Sequence, residues 1–374
     1  MIDQLNRSLI VITGGWGSGK SIAANTIARP SEVERVYVHD AENSSNRFRQ
    51  QLRARGTDFG YYLNLDDKWT EALPDDRDLV NRIAHDQLPW TERRTRDSMI
   101  DYWRFVLEDI NENMTPGKYD VYVHDTIERL EAGMTAFVEA NKRITGWSKT
   151  AYGEMWTKGV YPLYRGFLNA LYQRGVKVVV FTSHLRTPWV DGKPVVGSVE
   201  PKGKSILYKL SQLFVWLVKD PRNASKAPAG LIFKERLGTV KIDGDSWAIG
   251  GALPPRVPEF TWDNVERYLE EGVDITNLNE RERLSESEKR LVSTTLDSMQ
   301  LRLMVLQAEE ELLQKKQQTA PMFLAHGEAA SLEATPQEIA VKLYADGDGI
   351  GVEAIAEQLG KPAILVQKWI NGAV

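Results

Sequence analysis

The chain has 374 residues, of which 42% are hydrophobic, enough for two or more domains and a sizeable core. It has no cysteine, which excludes disulfides and thiolate metal centres, and its five histidines (His39, His85, His124, His184, His326) include no pair at metal-ligand spacing. The net charge of -5 argues against a globally basic nucleic-acid coat but leaves room for a local basic groove, because steering depends on where charges sit.

The amino-terminal stretch "MIDQLNRSLIVITGG" lacks the basic start and long apolar run of a secretory signal. No apolar stretch approaches the roughly 20 residues of a membrane span, so a cytoplasmic protein without a membrane partner is expected. "LIVIT", residues 9–13, reads as a buried strand, and "SIAANTIA", 21–28, as a helix start. "RVYVHDAE" reads as the next strand and "NRFRQQLRARG" as a helix. Residues 57–78, with Gly60, Pro74 and acidic pairs, read as a loop or insertion.

"RDSMIDYWRFVLEDINEN" is an amphipathic helix, "KYDVYVHDT" a strand, "YPLYRGFLNALYQRG" a helix and "VKVVVFTSH" a strand. This alternation predicts an α/β fold with a mostly parallel sheet covered by helices. "GLIFKERLGTVKIDGDSWAIG" reads as a β-hairpin turning at Asp243-Gly244, followed by a proline-rich exit, "LPPRVPEF". Residues 285–317 form one long charged helical stretch. There Val292, Leu296, Met299, Leu303, Leu306 and Leu313 follow a 4-3 spacing, with Glu310 as the one polar break, that suits either a short coiled coil or a helix lying on its own core. The expected domains are a core over 1–270, a helical extension and linker over 271–334, and a small all-α unit over 335–374.

The first chemical signal lies between the first strand and helix. Gly14-x-x-x-x-Gly19-Lys20-Ser21 fits the phosphate-cradle pattern, a Walker A or P-loop. Glycines let the backbone wrap a phosphate with its amides pointing inward, and the following helix presents its positive end to the same anion. Gly14, Gly15, Trp16, Gly17, Ser18, Gly19, Lys20, Ser21 and Ile22 are therefore the candidate nucleotide-binding residues, with Lys20 on the β- and γ-phosphates and Ser21 on Mg²⁺. Trp16 either packs over the loop, lies exposed or stacks on a base. A cradle hydrolyses nothing by itself: a metal-orienting carboxylate and a water-polarising group are also needed. Asp125, ending the strand "VYVHD", suits the metal role, the alternative being an Asp that caps a turn. Thr126 follows it, so the base must come from elsewhere. Glu42 in "HDAEN" can serve if its strand lies beside that of the phosphate loop.

These pieces resemble the RecA-like P-loop ATPases over about residues 5–255. Members of that family carry a catalytic glutamate after the second strand, in an Asp-Ala-Glu-like signature that residues 39–43 resemble. They also carry a polar sensor after the metal-Asp strand, where this chain has Thr182, Ser183 and His184 instead of a glutamine. A basic-x-basic pair, matched by Lys234 and Arg236 with Gly238 trailing, enters a neighbouring subunit's site in such motors; an exposed, charged hairpin arm is the plain alternative. The compact size and Ser-His sensor look most similar to phage-encoded RecA-like nucleotide-binding proteins, some of which assist single-strand annealing. The resemblance implies ATP and Mg²⁺ as cofactors, a ring or filament of identical chains, and DNA as partner.

In that family the loops after the metal-Asp region and the sensor strand face DNA. Residues 141–159 interleave Trp147, Tyr152 and Trp156 with Lys142, Arg143, Lys149 and Lys158, a pattern suited to single strands or to an amphipathic helix with buried aromatics. Residues 186–205 carry Arg186, Lys193, Lys202 and Lys204 beside Trp189. "VEAIAEQLGKPAILVQKWI" fits a helix-turn-helix template, with Ile355, Leu359, Val366 and Trp369 as its core and Gln367 and Lys368 exposed for duplex DNA; protein docking is the alternative. Two rival functions remain: a small-molecule P-loop kinase with "ERRTR", 92–96, as a lid, and a non-hydrolysing ATP-switched DNA-binding or loader protein.

Overall fold

The computed structural model describes residues 2, 5–65, 92–141, 159–187, 189–190, 193–194, 199–202, 204–219, 226–237, 239–243, 246–249, 251–273, 278–296, 336–346, 351–359, 361 and 363–371. The chain divides into two compact units. One comprises Met1–Ala140, Leu163–Leu185 and Pro201–Val292; the other comprises Asn141–Pro162, Arg186–Glu200 and Ser293–Val374. The first unit thus runs past the expected boundary at residue 270.

The strands are β1 (Ser8–Gly14), β2 (Val36–Asp40), β3 (Tyr61–Asn64), β4 (Val121–Asp125), β5 (Val178–Arg186), β6 (Trp189–Val190), β7 (Lys193–Pro194), β8 (Glu200–Pro201), β9 (Leu213–Val218), β10 (Ala229–Glu235), β11 (Thr239–Asp243), β12 (Ser246–Ile249) and β13 (Arg256–Val257). The helices are α1 (Lys20–Asn25), α2 (Asn46–Ala54), α3 (Glu92–Asn113), α4 (Glu128–Ala140), α5 (Tyr161–Gln173), α6 (Lys204–Leu210), α7 (Trp262–Glu271), α8 (Pro336–Asp346), α9 (Val352–Leu359) and α10 (Ala363–Asn371).

The main sheet runs β13-β10-β9-β1-β5-β4-β2-β3, with β8 paired to β5. Strands β9, β1, β5, β4, β2 and β3 are mutually parallel, whereas β10 returns antiparallel to β9 and β13 antiparallel to β10. The fold is α/β with a mostly parallel mixed sheet.

The central strands read as near-continuous apolar runs because both their faces are covered. Every residue of β1, β2 and β4 is buried. Side chains alternate between faces along each strand. On one face Ile10, Ile12, Val36, Val38, Val121, Val123, Val178 and Val180 pack with Ala24 of α1, Ile27 just beyond it, Leu52 of α2, and Trp262 and Val265 of α7. The opposite face carries Tyr37 and Tyr122. Tyr37 bonds to Asp109 of α3, and Tyr122 lies edge-on to Phe167 of α5.

Two expectations change. Residues 61–64, placed in a loop from their polar surroundings, form edge strand β3 beside β2, with Tyr37 opposite Tyr61. "GLIFKE" does not belong to the hairpin: it is β10, paired with β9, while β11 and β12 form the hairpin as a separate two-stranded sheet. Helical backbone covers residues 286–296 of the long charged stretch; its remainder lies outside the described residues. Helices α8, α9 and α10 enclose a small core of Ile339, Ala340, Ile355, Ala356, Val366 and Ile370.

Candidate functional site

Parallel strands deliver their carboxyl ends to one edge of the sheet. Register places Gly14 opposite His184 and Asp40 opposite Asp125 on that edge. Between β1 and α1 the chain makes a tight glycine turn. Gly17 and Gly19 adopt φ of 69° and 92°, the left-handed region that side-chain-bearing residues avoid. A Cβ on Gly14 would stand 2.5 Å from Ser18 Oγ and 2.7 Å from the Leu217 carbonyl, so this position also requires glycine.

Lys20 folds back over the turn. Its Nζ donates to the carbonyls of Gly14 and Gly15, each at 3.1 Å, and the residue is only 6% exposed. Burial lowers its pKa, against the opposing pull of Asp125, Glu128 and Glu42. Ser18 Oγ is buried and has no partner among the described residues. Ile22 points outward, 59% exposed, so it offers surface rather than cradle.

Asp125 is fully buried at the end of β4. One carboxylate oxygen accepts from Ser44 Oγ at 2.6 Å and Ser45 Oγ at 3.0 Å, the other from Thr182 Oγ1. Ser21 Oγ donates to Ser44 Oγ at 3.0 Å, so Ser44 bridges Ser21 to Asp125. Asp40 organises the turn that carries Ser44: its carboxylate accepts from the amides of Glu42, Ser44 and Ser45 and from Tyr62 Oη. Burial, then the neighbouring Asp125, raises its pKa.

The condition set for Glu42, that β2 lie beside β1, is not met, since β5 and β4 stand between them. Glu42 nevertheless reaches the site from the turn after β2. Its Oε2 lies 2.8 Å from His184 Nε2, and its Oε1 accepts from Thr126 Oγ1 at 3.3 Å. The hydrogen bond to His184 holds the Glu42 carboxyl below the usual glutamate range, although partial burial opposes the shift. Trp16, 85% exposed, stacks on the His184 ring at 4.4 Å with 27° between planes. The indole therefore packs over the loop against the sensor-position histidine.

Sequence reasoning missed Glu128, in the first turn of α4. Its Oε1 accepts from the His184 amide at 2.5 Å and from Ser183 Oγ at 3.4 Å. Its only sequence signal is the acidic first turn of an apolar helix, which reads as ordinary capping. Ser44 was equally hidden, as one of two adjacent serines in a turn.

Lys234 and Arg236 part company. Arg236 is exposed, but Lys234 turns inward and its Nζ donates to the Tyr208 and Lys209 carbonyls at 2.5 and 3.1 Å, capping the end of α6. The expectation that both reach a neighbouring site is corrected for Lys234 in this conformation. Burial, then Arg236, brings its pKa down to about 8. The fold disfavours the ammonium, so this penalty is complete below pH 8. It fades as pH rises toward the unfolded lysine value of about 10.4. Urea midpoints are expected to rise over that window more in the parent chain than in Lys234→Met, and parallel pH profiles would contradict the assignment.

Among the expected DNA contacts, Arg186 Nε pairs with Glu200 Oε1 at 2.9 Å. The Lys202 amide donates to the His184 carbonyl, and Ser183 Oγ to the Lys202 carbonyl, tying that loop's return to the end of β5. Lys193 lies in β7 and Lys204 opens α6. Gln367 bonds Asn371 and Lys368 is exposed, both on α10. Lys149, Lys158 and the aromatics between them lie outside the described residues, as does Gly238. Glu92–Arg96, weighed as a lid, opens α3.

Beneath the site lies a second polar network. Asp109 of α3 accepts from Tyr37 Oη, from Tyr61 Oη at 2.5 Å and from Asn113 Nδ2 at 3.0 Å, with His39 Nε2 at 2.7 Å. His39 Nδ1 meets Tyr122 Oη, which meets His124 Nδ1, both at 2.9 Å. Burial, then His39, pushes the His124 pKa far down, so that ring is neutral.

The chain matches no family model and no curated protein. No described helix is long and apolar enough to cross a membrane.

Proposed function

We propose that this chain is a RecA-like, Mg²⁺-dependent P-loop ATPase that acts on DNA, single-stranded by preference. The observation that carries the reading is the meeting of Lys20, Glu42 and Asp125, delivered by β1, β2 and β4, at one sheet edge around a glycine turn. The turn suits a polyphosphate. Its lysine is held over it by two carbonyls, Ser18 Oγ is a buried group lacking a partner among the described residues, and Gly15 and Gly17 have open space where a side chain would stand.

Lys20 and the turn amides hold the phosphates. Ser21 would hold Mg²⁺ directly and Asp125 would act through Ser44, the metal supplying charge neutralisation when bound. Glu42 takes the proton of the attacking water, and His184, bonded to Glu42 and joined through its carbonyl to Lys202, relays the site's state to the 186–205 loop. Arg236 is the exposed cation for a neighbouring copy in a ring or filament. Helices α8–α10 form the helix-turn-helix unit, with Gln367 and Lys368 directed at duplex DNA. The resemblance alone further assigns the protein to phage-type recombination or replication.

The test is phosphate release from ATP with no DNA, single-stranded DNA or duplex DNA, at several protein concentrations. Single strands are expected to stimulate it most, and specific activity to rise with concentration. Transfer of phosphate to a small acceptor would replace the reading with a kinase, and a flat concentration profile would remove the role of Arg236 in a neighbouring site.

A further inference from the structure

Glu42, Glu128 and His184 each present one ligand atom, and these atoms lie within 4.8 Å of one another. They come from three separate segments: the turn after β2, the first turn of α4, and the end of β5. None of the three side chains is fully exposed, and His184 is 8% exposed.

One atom indicates that something is to be bound there. Glu128 Oε1 is fixed by the His184 amide and Ser183, but Oε2 is buried with no partner among the described residues. An unpaired buried polar atom of this kind is destabilising, a penalty that a ligand would relieve. The charge balance has the right sign: the carboxylates of Asp125, Glu128 and Glu42 all act on one buried ammonium, Lys20. Ligands about 2.1 Å from a cation stand about 3–4.2 Å apart, so shifts of less than about an ångström would close the set.

We propose that Glu42, Glu128 and His184 form a transition-metal site, suited to Zn²⁺ or Mn²⁺ and separate from the Ser21–Asp125 position. An imidazole beside two carboxylates favours these ions over Mg²⁺, which prefers oxygen ligands and retains its waters. The inference does not rest on nucleotide binding. If both readings hold, a cation ligated by Glu42 competes with water activation by the same carboxylate, so the site is inhibitory when filled.

The experiment uses full-length, untagged protein free of nucleotide and Mg²⁺. Zn²⁺ binding is followed by calorimetry and Mn²⁺ binding by electron paramagnetic resonance. One cation per chain is expected, with affinity about 10–100-fold weaker in Glu128→Gln and in Glu42→Gln and unchanged in Ser21→Ala. Glutamine retains the oxygen that accepts from the His184 amide, and circular dichroism checks each fold. The Glu42 variant provides a second arm should Glu128→Gln unfold. No binding by the parent chain, unchanged binding in a folded glutamine variant, or loss in Ser21→Ala would overturn the proposal. Because no nucleotide is present, failure here is distinct from failure of the ATPase reading.

Discussion

Glu42→Gln is expected to lower ATP turnover by about 10²–10⁴-fold while leaving ATP binding within a few-fold of the parent chain. Glutamine has the shape of glutamate and can still accept from Thr126, so the turn after β2 survives and only the basic oxygen is lost. Lys20, Ser21 and the glycine turn are untouched, which is why binding and turnover should separate. The pH profile gives an independent check. The His184 hydrogen bond holds the Glu42 carboxyl below the ordinary glutamate range, so the acid limb of turnover should lie below about pH 4.3. Phosphate release and equilibrium binding of a fluorescent ATP analogue measure the two quantities. Turnover within about threefold of the parent would require a different base.

Asp109→Ala should destabilise the core by about 3–5 kcal/mol, the usual cost of removing one partner from a buried ionic and hydrogen-bonded group. Asp109 serves Tyr37, Tyr61, His39 and Asn113 together, and alanine would strand the fully buried Tyr37 and His39 on the covered face of the sheet, while half-buried Tyr61 and exposed Asn113 can turn to water. Burial alone would raise its pKa, but the hydrogen bonds from His39, Tyr37 and Tyr61 outweigh it and the net shift is downward. A carboxyl lowered in the fold stabilises above its unfolded pKa of about 3.9 and loses that contribution as pH falls through the folded value. The gap between parent and Asp109→Ala in urea unfolding should therefore narrow under acid conditions. A gap below about 1 kcal/mol at neutral pH would mean that the network does not anchor α3.

The sequence makes the central sheet legible because strands covered on both faces carry continuous apolar runs, as β1, β2, β4 and β5 do over 9–12, 36–38, 121–123 and 178–181. β3 escapes because an edge strand needs no such run: Tyr61 and Tyr62 are half-buried and flanked by polar chain. The antiparallel return of β10 is hidden because nothing in "GLIFKE" distinguishes pairing with β9 from pairing along its own hairpin. At the site, residues of the glycine turn and the strand-ending acids declare themselves through local spacing. Strand order does not, and the adjacency of β1 and β2, a condition set for Glu42, is not found. Glu128 and Ser44 matter only through contacts made by folding, at sequence separations of 56 and 81 residues from their partners.

The stack of Trp16 on His184 makes the glycine turn optically addressable. An indole that is mostly in water yet in van der Waals contact with an imidazole reports both solvent and ring separation in its emission. The chain has 11 tryptophans, so the signal is isolated as the difference between the parent and Trp16→Phe. Stopped-flow recording of that difference would time the turn's rearrangement separately from any chemical step.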